Sequence, residues 1–314
     1  MPEKTHLENT IQLSIVIPTY NKADFLALLL ESLLQQDYPQ HLMDIIVVDD
    51  GSTDHTAQVI DQFYHQFKFF TCIRQPNKGI GAARNAGVKA ASAEFIAFLA
   101  DDYILSPFYC SALIPVFNDS TVTAVRSYPG SVGNTSLELL ELYQIRLSIW
   151  RCLYGTHKIP NFRFGDLPLP PHIEPLTEII SWGGAAMMRR SIFEQFGYFD
   201  EALVTGEDTE YAYRLAVKAN IRMHFCPAVL FNIQFRTGFS AYMKRCYEYA
   251  FNGEQIAREY HPYTAHPPRT NKLYRKLRNM LLILCQNGNP ARAAMMAPYL
   301  LSSRIAAAIG KSRG

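Results

Sequence analysis

Nothing in these 314 residues is long and apolar enough to read as a membrane span. A spanning helix needs roughly 18 or more apolar residues in a row. The best stretches, 280–285 and 293–301, fall short, and Pro298 interrupts the second. The polar start MPEKTHLENT runs directly into the apolar stretch 13–17, too short for a signal-peptide core with a cleavage site, so no secretion is expected. The six cysteines (Cys72, Cys110, Cys152, Cys226, Cys246 and Cys285) lack any CxxC or paired spacing. That excludes a zinc signature and fits a reducing compartment, so the expected location is cytoplasmic. Charge is modest, at 18% charged residues and a net +2, and 48% hydrophobic residues make the composition globular rather than disordered or fibrous.

The small net charge hides an uneven distribution. Residues 242–314 carry 12 Lys/Arg against 3 Asp/Glu, leaving the rest of the chain acidic. A basic, partly apolar stretch of this kind suits either an anionic membrane surface, on the inner face of the cytoplasmic membrane, or a phosphate-bearing acceptor. A solvated helical face accounts for it equally well. No nucleic-acid partner is expected.

Along the first 130 residues, short β-branched runs alternate with helical patterns, the signature of βα units on a mostly parallel sheet. Strands are expected at 13–18, 44–48, 69–74, 94–99 and 121–128. Helices are expected at 23–36, after the capping residues 52–54, at 81–91 and from Ser106-Pro107. The fold class is therefore α/β. Beyond 130 the pattern gives a helix at 135–153 and a proline-dense irregular segment at 155–178, long enough to be a lid or substrate-framing loop. A strand at 185–188, helices from Ser191 and at 207–219, and a strand at 222–225 follow. The reading is thus a domain at 1–235, with a nucleotide-binding half at 11–130 and an acceptor-binding half at 131–235, followed by a basic helical extension at 236–314.

Two acidic pairs end two of these strands, Asp49-Asp50 and Asp101-Asp102. Carboxylates at the end of an apolar strand need a partner: a metal ion, a base or ribose donor, or water. Asp102 is the candidate metal ligand, and Asp101 and Asp50 are candidate acceptors for ribose hydroxyls and a base N–H. The segment Asn77 to Asn85 places glycines, Lys78 and Arg84 at a helix start, where free N–H groups favour an anion such as a diphosphate. Its missing third glycine argues against a dinucleotide fingerprint. Gly206-Glu207-Asp208 opens a later helix, just after the turn Gly197-Tyr198-Phe199-Asp200-Glu201.

Taken in order, the segments SIVIPTYNKADFLALLLESLLQQ, IIVVDDGSTD, NKGIGAARNAG, EFIAFLADD, GGAAMMRRSIFEQFGYFDE and GEDTEYAYRL resemble the inverting glycosyltransferases of family 2 over residues 13–234. The resemblance implies a GT-A fold, a Rossmann-like sheet flanked by helices, and transfer of a sugar from a nucleoside diphosphate sugar, UDP-linked by preference, to a hydroxyl of a glycan or lipid-linked acceptor. It implies that Pro18 and Tyr20 pack on the nucleobase and that Asp50 accepts its imide N–H. Arg84 and Lys78 would lie near the nucleotide, Asp101 would hold ribose, and Asp102 would bind Mn²⁺ or Mg²⁺. Asp208 would be the general base, with Glu207 positioning the acceptor hydroxyl and Trp182, Gly183 and Gly184 framing the acceptor.

Two positions depart from the family pattern. Ala100 stands where the first acid of an Asp-x-Asp motif is usual, and Asn232 stands where a histidine often follows the last strand. Asn is a poorer metal ligand than imidazole. These departures motivate the rival reading, a catalytically degenerate nucleotide-sugar-binding or scaffold protein. A sugar-phosphate nucleotidyltransferase would instead carry a GxGTRL-type loop where this chain has Pro18-Thr19-Tyr20-Asn21.

Overall fold

The computed structural model describes residues 11–131, 174–175, 183–203, 205–221 and 223–234. All lie in one of the two units into which the chain divides, 1–133 with 145–235. The helix expected at 135–153, most of the segment 155–178, Trp182 and the extension 236–314, with its basic stretch 242–314, lie outside the described residues.

The chain begins with alternating strands and helices: β1 (Leu13–Thr19), α1 (Ala23–Leu34), β2 (Met43–Asp49), α2 (Thr56–Tyr64), β3 (Phe70–Arg74), α3 (Ile80–Ala90) and β4 (Phe95–Phe98). Then come β5 (Tyr103–Leu105), α4 (Tyr109–Leu113), β6 (Ala124–Ser131), β7 (Glu174–Pro175), β8 (Ala186–Arg189), α5 (Ser191–Phe196), α6 (Glu207–Ala219) and β9 (His224–Ile233). One sheet takes them in the order β3-β2-β1-β4-β8-β6-β9-β5, with β7 paired to β9. The first four strands are mutually parallel. β8 is antiparallel to both β4 and β6, while β6 and β9 run parallel.

Strands β1 and β2 are buried along their whole length, which is why they read as apolar runs rather than as an alternation. Leu13, Ile15 and Ile17 face a layer made by Leu26, Leu29, Leu30 and Leu33 of α1 and Val59, Ile60 and Phe63 of α2. Val16, Ile46, Val48, Ile96 and Phe98 face the opposite layer, which holds Ala83 and Val88 of α3 and Tyr211 and Leu215 of α6. Full burial of a leucine contributes roughly 1.5–3 kcal/mol. The apolar stripe of α1 therefore outweighs the missing side-chain cap at its start.

α3 lies against β1 because Gly87 allows it. A Cβ at position 87 would land on Val16 Cγ1 and come within 3.1 Å of Val16 Cγ2. Val16 is β-branched and stiff at χ1, so it has little room to yield. Alanine normally gains about 1 kcal/mol over glycine inside a helix, but overpacking a core costs typically ~1–3 kcal/mol. Gly87→Ala should therefore lower the urea midpoint, and a midpoint at or above wild type would show that α3 can move off the sheet.

The connections open a crevice at one point on the sheet edge. Chain order runs outward from β1 to β3 and then returns to the other side of β1 with β4, so the reversal falls between β1 and β4. Ligands of open α/β sheets bind at such a reversal, outside the carboxyl ends of the strands. The β1–β4 ladder stops there for a chemical reason. Leu99 N donates to Val16 O, the next donor on that side of β1 belongs to residue 18, and Pro18 has no N–H.

The strand expected at 222–225 is longer in the structure. Register shifts at Ser127/Tyr128 and Tyr128/Pro129 let β9 pass Pro227 and continue to Ile233, where it pairs with the short β5. The helix expected from Ser106-Pro107 starts at Tyr109.

Candidate active site

Four loops meet at the β1–β4 crevice. Asn21, at the end of β1 with φ +52°, ties the first two loops together. Its Oδ1 accepts from Thr53 N at 2.8 Å, and its own N–H donates to Ser52 Oγ at 2.9 Å. Asp54 closes the same seam, accepting from Ala23 N at 3.2 Å and from Thr56 N at 3.1 Å. Tyr20, next to this frame in the chain, has its side chain exposed, while Pro18 is buried.

The first acidic pair divides its work. Asp49 accepts from Ser52 N at 2.8 Å, the bond of a turn residue. Asp50 is buried and accepts from Gln75 Nε2 at 2.7 Å, Lys78 N at 2.9 Å and Gly79 N at 2.8 Å. The glycine between this pair and Ser52 is required. Gly51 has φ +81°, and a Cβ there would come within 2.9 Å of Asn77 N. Lys78 thus meets Asp50 through its backbone amide, and its side chain is exposed. A carboxylate offers about four acceptor sites, and these three bonds take most of those of Asp50.

The second pair holds a cation of the protein's own. Lys22 Nζ donates to Asp101 Oδ1 at 2.7 Å and to Asp102 Oδ2 at 2.8 Å, and Thr19 Oγ1 donates to Asp101 Oδ2 at 2.9 Å. Burial works against the Lys22 charge, but the two carboxylates outweigh it and hold its pKa above the ordinary value. Sequence reading passed over Lys22. The available signal was a lysine at the N-cap of α1, where Ser, Thr, Asp or Asn is preferred.

Ala100 is explained by its neighbour. Its N–H donates to Gly184 O at 3.0 Å, and a Cβ on Gly184 would meet Ala100 Cβ at 2.9 Å. The turn Gly183–Ala185 therefore packs closely on Ala100, and position 184 has no room for a side chain. Asn232 places its amide oxygen against Gly130, on the paired strand β6.

Glu207 and Asp208 open α6 after Gly206, whose φ is +85°. Arg84, expected near the nucleotide, and Glu207, expected beside the base, meet each other here. Both side chains are almost wholly buried, and Arg84 Nη1 is paired with Glu207 Oε1. The helical period puts Arg84 on the inner face of α3 with Ala83 and Val88, so a guanidinium there needs a buried anion, and Glu207 supplies it. Arg84 also lies over the Phe199 ring at 5.6 Å. Next to it, Asn85 donates to Phe199 O at 2.9 Å and to Glu201 Oε1 at 2.8 Å, and accepts from Phe199 N at 3.0 Å. One helix, α3, thus holds Asp50 at its start and clamps the turn 197–201 and the start of α6 along its buried face.

Asp208 is half-buried and takes a hydrogen bond from Thr209 Oγ1 at 3.3 Å. Arg126 on β6 is buried and within electrostatic reach of it. Burial opposes the Arg126 charge, while Tyr103, Asp208 and Tyr109 favour it. Among the described residues no three His, Cys, Asp or Glu converge on a metal position, and no helix is long and apolar enough to cross a membrane.

The same architecture occurs in solved glycosyltransferases. The mannosyltransferase PcManGT from Pyrobaculum calidifontis, in complex with GDP-Man and Mn²⁺, superposes with TM-score 0.63 at 18% identity, covering 95% of this chain and 86% of that one. S. aureus TarS 1–349 in complex with UDP-GlcNAc gives TM-score 0.55 at 17% identity over 95% and 89% of the two chains. The fold is GT-A. In sequence, the glycosyltransferase GlyG of Streptococcus pneumoniae serotype 4 (strain ATCC BAA-334 / TIGR4) is 37% identical over 230 residues, 68% of this chain and 74% of that one. Other curated relatives are matched over 15–36% of their length. The family described as "Glycosyl transferase family group 2" matches residues 172–310. The family described as "Glycosyl transferase family 2" matches residues 14–197, more than half of the protein, and the chain belongs to that family of glycosyltransferases.

Proposed function

We propose that the protein transfers a sugar, with inversion, from a uridine diphosphate sugar to a hydroxyl of a glycan or lipid-linked acceptor, using Asp208 as general base and a divalent cation at Asp102. The observation that carries this reading is the Asp101–Asp102 pair at the β1–β4 reversal, already gathered around one positive charge. Asp50 and the exposed Tyr20 lie on the same strand edge.

Asp50 favours uracil over guanine on donor count. It keeps about one acceptor site. A uracil imide presents a single N–H, whereas guanine presents two donors side by side.

The residues fit a divalent cation of the Mg²⁺ or Mn²⁺ type, which is commonly bound by one or two carboxylates together with substrate phosphates. Asp102 would hold it, with Asp101 accepting ribose hydroxyls from a buried position. When bound, such an ion neutralises charge developing on the leaving diphosphate. The protein's own residues do the rest. Asp208 takes the acceptor hydroxyl proton as that oxygen bonds to the anomeric carbon. The bond from that carbon to the diphosphate oxygen breaks on the opposite face, and the nucleoside diphosphate leaves. Gly183 and Gly184 frame the acceptor side. An acceptor held at an anionic membrane surface by residues 242–314 completes the reading.

A thermal-shift screen of nucleoside diphosphates with and without Mn²⁺ tests it, because a ligand at 100 times its Kd stabilises a fold by about 2.7 kcal/mol. UDP with Mn²⁺ should give the largest shift. Asp102→Ala should weaken UDP binding in Mn²⁺ by at least about 10–100-fold, the loss found even for outer-shell partners of a metal. It should leave metal-free binding nearly unchanged. Binding of a UDP-sugar with neither transfer nor slow hydrolysis would instead support the non-catalytic reading.

A further inference from the structure

Lys22 is misplaced for folding and well placed for the site. It is the N-cap residue of α1, with φ −142° and ψ 44°, and makes no side-chain capping bond. A positive charge at a helix N-terminus opposes the helix dipole, and the first N–H of the helix, at Ala23, is served by Asp54 instead. Local structure therefore has no use for a lysine there. Its ammonium is instead drawn across the loop to two carboxylates at 2.7 and 2.8 Å.

We propose that Lys22 is a resident counter-cation that a divalent ion displaces on arrival with the donor, and that the displaced ammonium then pairs with the donor diphosphate. The inference rests on the divalent-cation reading above. A metal ion held by Asp102 would sit beside an ammonium still bonded to the same pair, and two like charges that close oppose each other. Without metal, Lys22 keeps adjacent carboxylates from facing one another unpaired. Once displaced, its four-carbon stem leaves the charge free to turn toward the crevice, where a diphosphate needs neutralising.

This predicts opposite signs for two affinities. In Lys22→Met, Mn²⁺ binding to the free protein, read by the electron paramagnetic resonance of unbound Mn²⁺, should tighten by about tenfold or more, since a competing charge has gone. UDP binding at saturating Mn²⁺, read by calorimetry, should weaken by about as much. Lys22→Arg keeps a cation on the pair and should bind Mn²⁺ no more tightly than wild type. Melting without metal checks that each variant is folded, and Mn²⁺ should raise the melting temperature of Lys22→Met more than that of wild type. Equal Mn²⁺ affinity in wild type and Lys22→Met overturns the exchange while leaving the metal-assisted reading intact. Mn²⁺ bound by neither, with or without UDP, overturns both. Unchanged UDP affinity overturns the handover to the diphosphate.

Discussion

Asp208→Asn should reduce sugar transfer by about 10²–10⁴-fold, the range a positioned general base contributes, while UDP and Mn²⁺ still shift the melting temperature as in wild type. The argument starts from the backbone. Gly206 turns the chain at φ +85°, so α6 begins abruptly and its first turn carries Glu207, Asp208 and Glu210. The helix dipole favours anions there, and a carboxylate on that first turn can take a proton from an acceptor hydroxyl. Glu207 cannot stand in, because its carboxylate is buried against Arg84. Asparagine preserves size and hydrogen bonding but accepts no proton, so the loss should fall on kcat rather than on donor affinity. Transfer by the variant within a few-fold of wild type would remove Asp208 as the base and direct attention to the residues around Arg126.

The strand ends and the helix start that carry the candidate residues were legible in the sequence because their determinants are local. The turn at Asp49, the acidic pair closing β4, and the start of α6 at Glu207 each follow from a strand or cap pattern a few residues long. What could not be read were pairings across the fold. Arg84 and Glu207 are 123 residues apart, and no local pattern tells a guanidinium after a glycine-rich loop which carboxylate it meets. Lys22 and Asp101 are 79 residues apart, and a lysine in a loop looks solvated. β5 is only three residues long, too short for any period, and exists because the end of β9 offers it a partner. Ala100 looked like a lost ligand. In the structure a Cβ on Gly184 would run into its methyl, so the close approach of that turn ties the two positions together.

Breaking the Arg84–Glu207 pair should be the most damaging single change to stability, and the two halves of the pair should behave differently with pH. Glu207→Gln leaves a guanidinium that is 5% exposed without its anion, and arginine cannot shed its proton to escape. Removing one partner of a buried pair costs about 3–5 kcal/mol, and each kcal/mol lowers Tm by roughly 2–4 °C in a domain of this size. The variant keeps no group at this pair that titrates between pH 4.5 and 8, so any change of its deficit with pH there comes from the Glu207 carboxyl of the wild type. Arg84→Met leaves the carboxylate instead. Burial already raises the Glu207 pKa above its ordinary 4.5, against the pull of Arg84, and without the arginine it rises further, so the folded state binds a proton that the unfolded state releases. Stability contributed by a carboxyl with a raised folded pKa is present below the unfolded value and lost as pH climbs through the folded one. The Arg84→Met deficit should therefore be small near pH 4 and grow toward pH 8. The double variant Arg84→Met with Glu207→Leu, which buries no charge, should recover much of the loss at every pH. A pH-independent deficit in Arg84→Met would mean that solvent reaches Glu207 and that the α3–α6 clamp is looser than its buried pair implies. If the double variant folds well but transfers slowly, the pair is acting on Asp208, by fixing where the first turn of α6 begins.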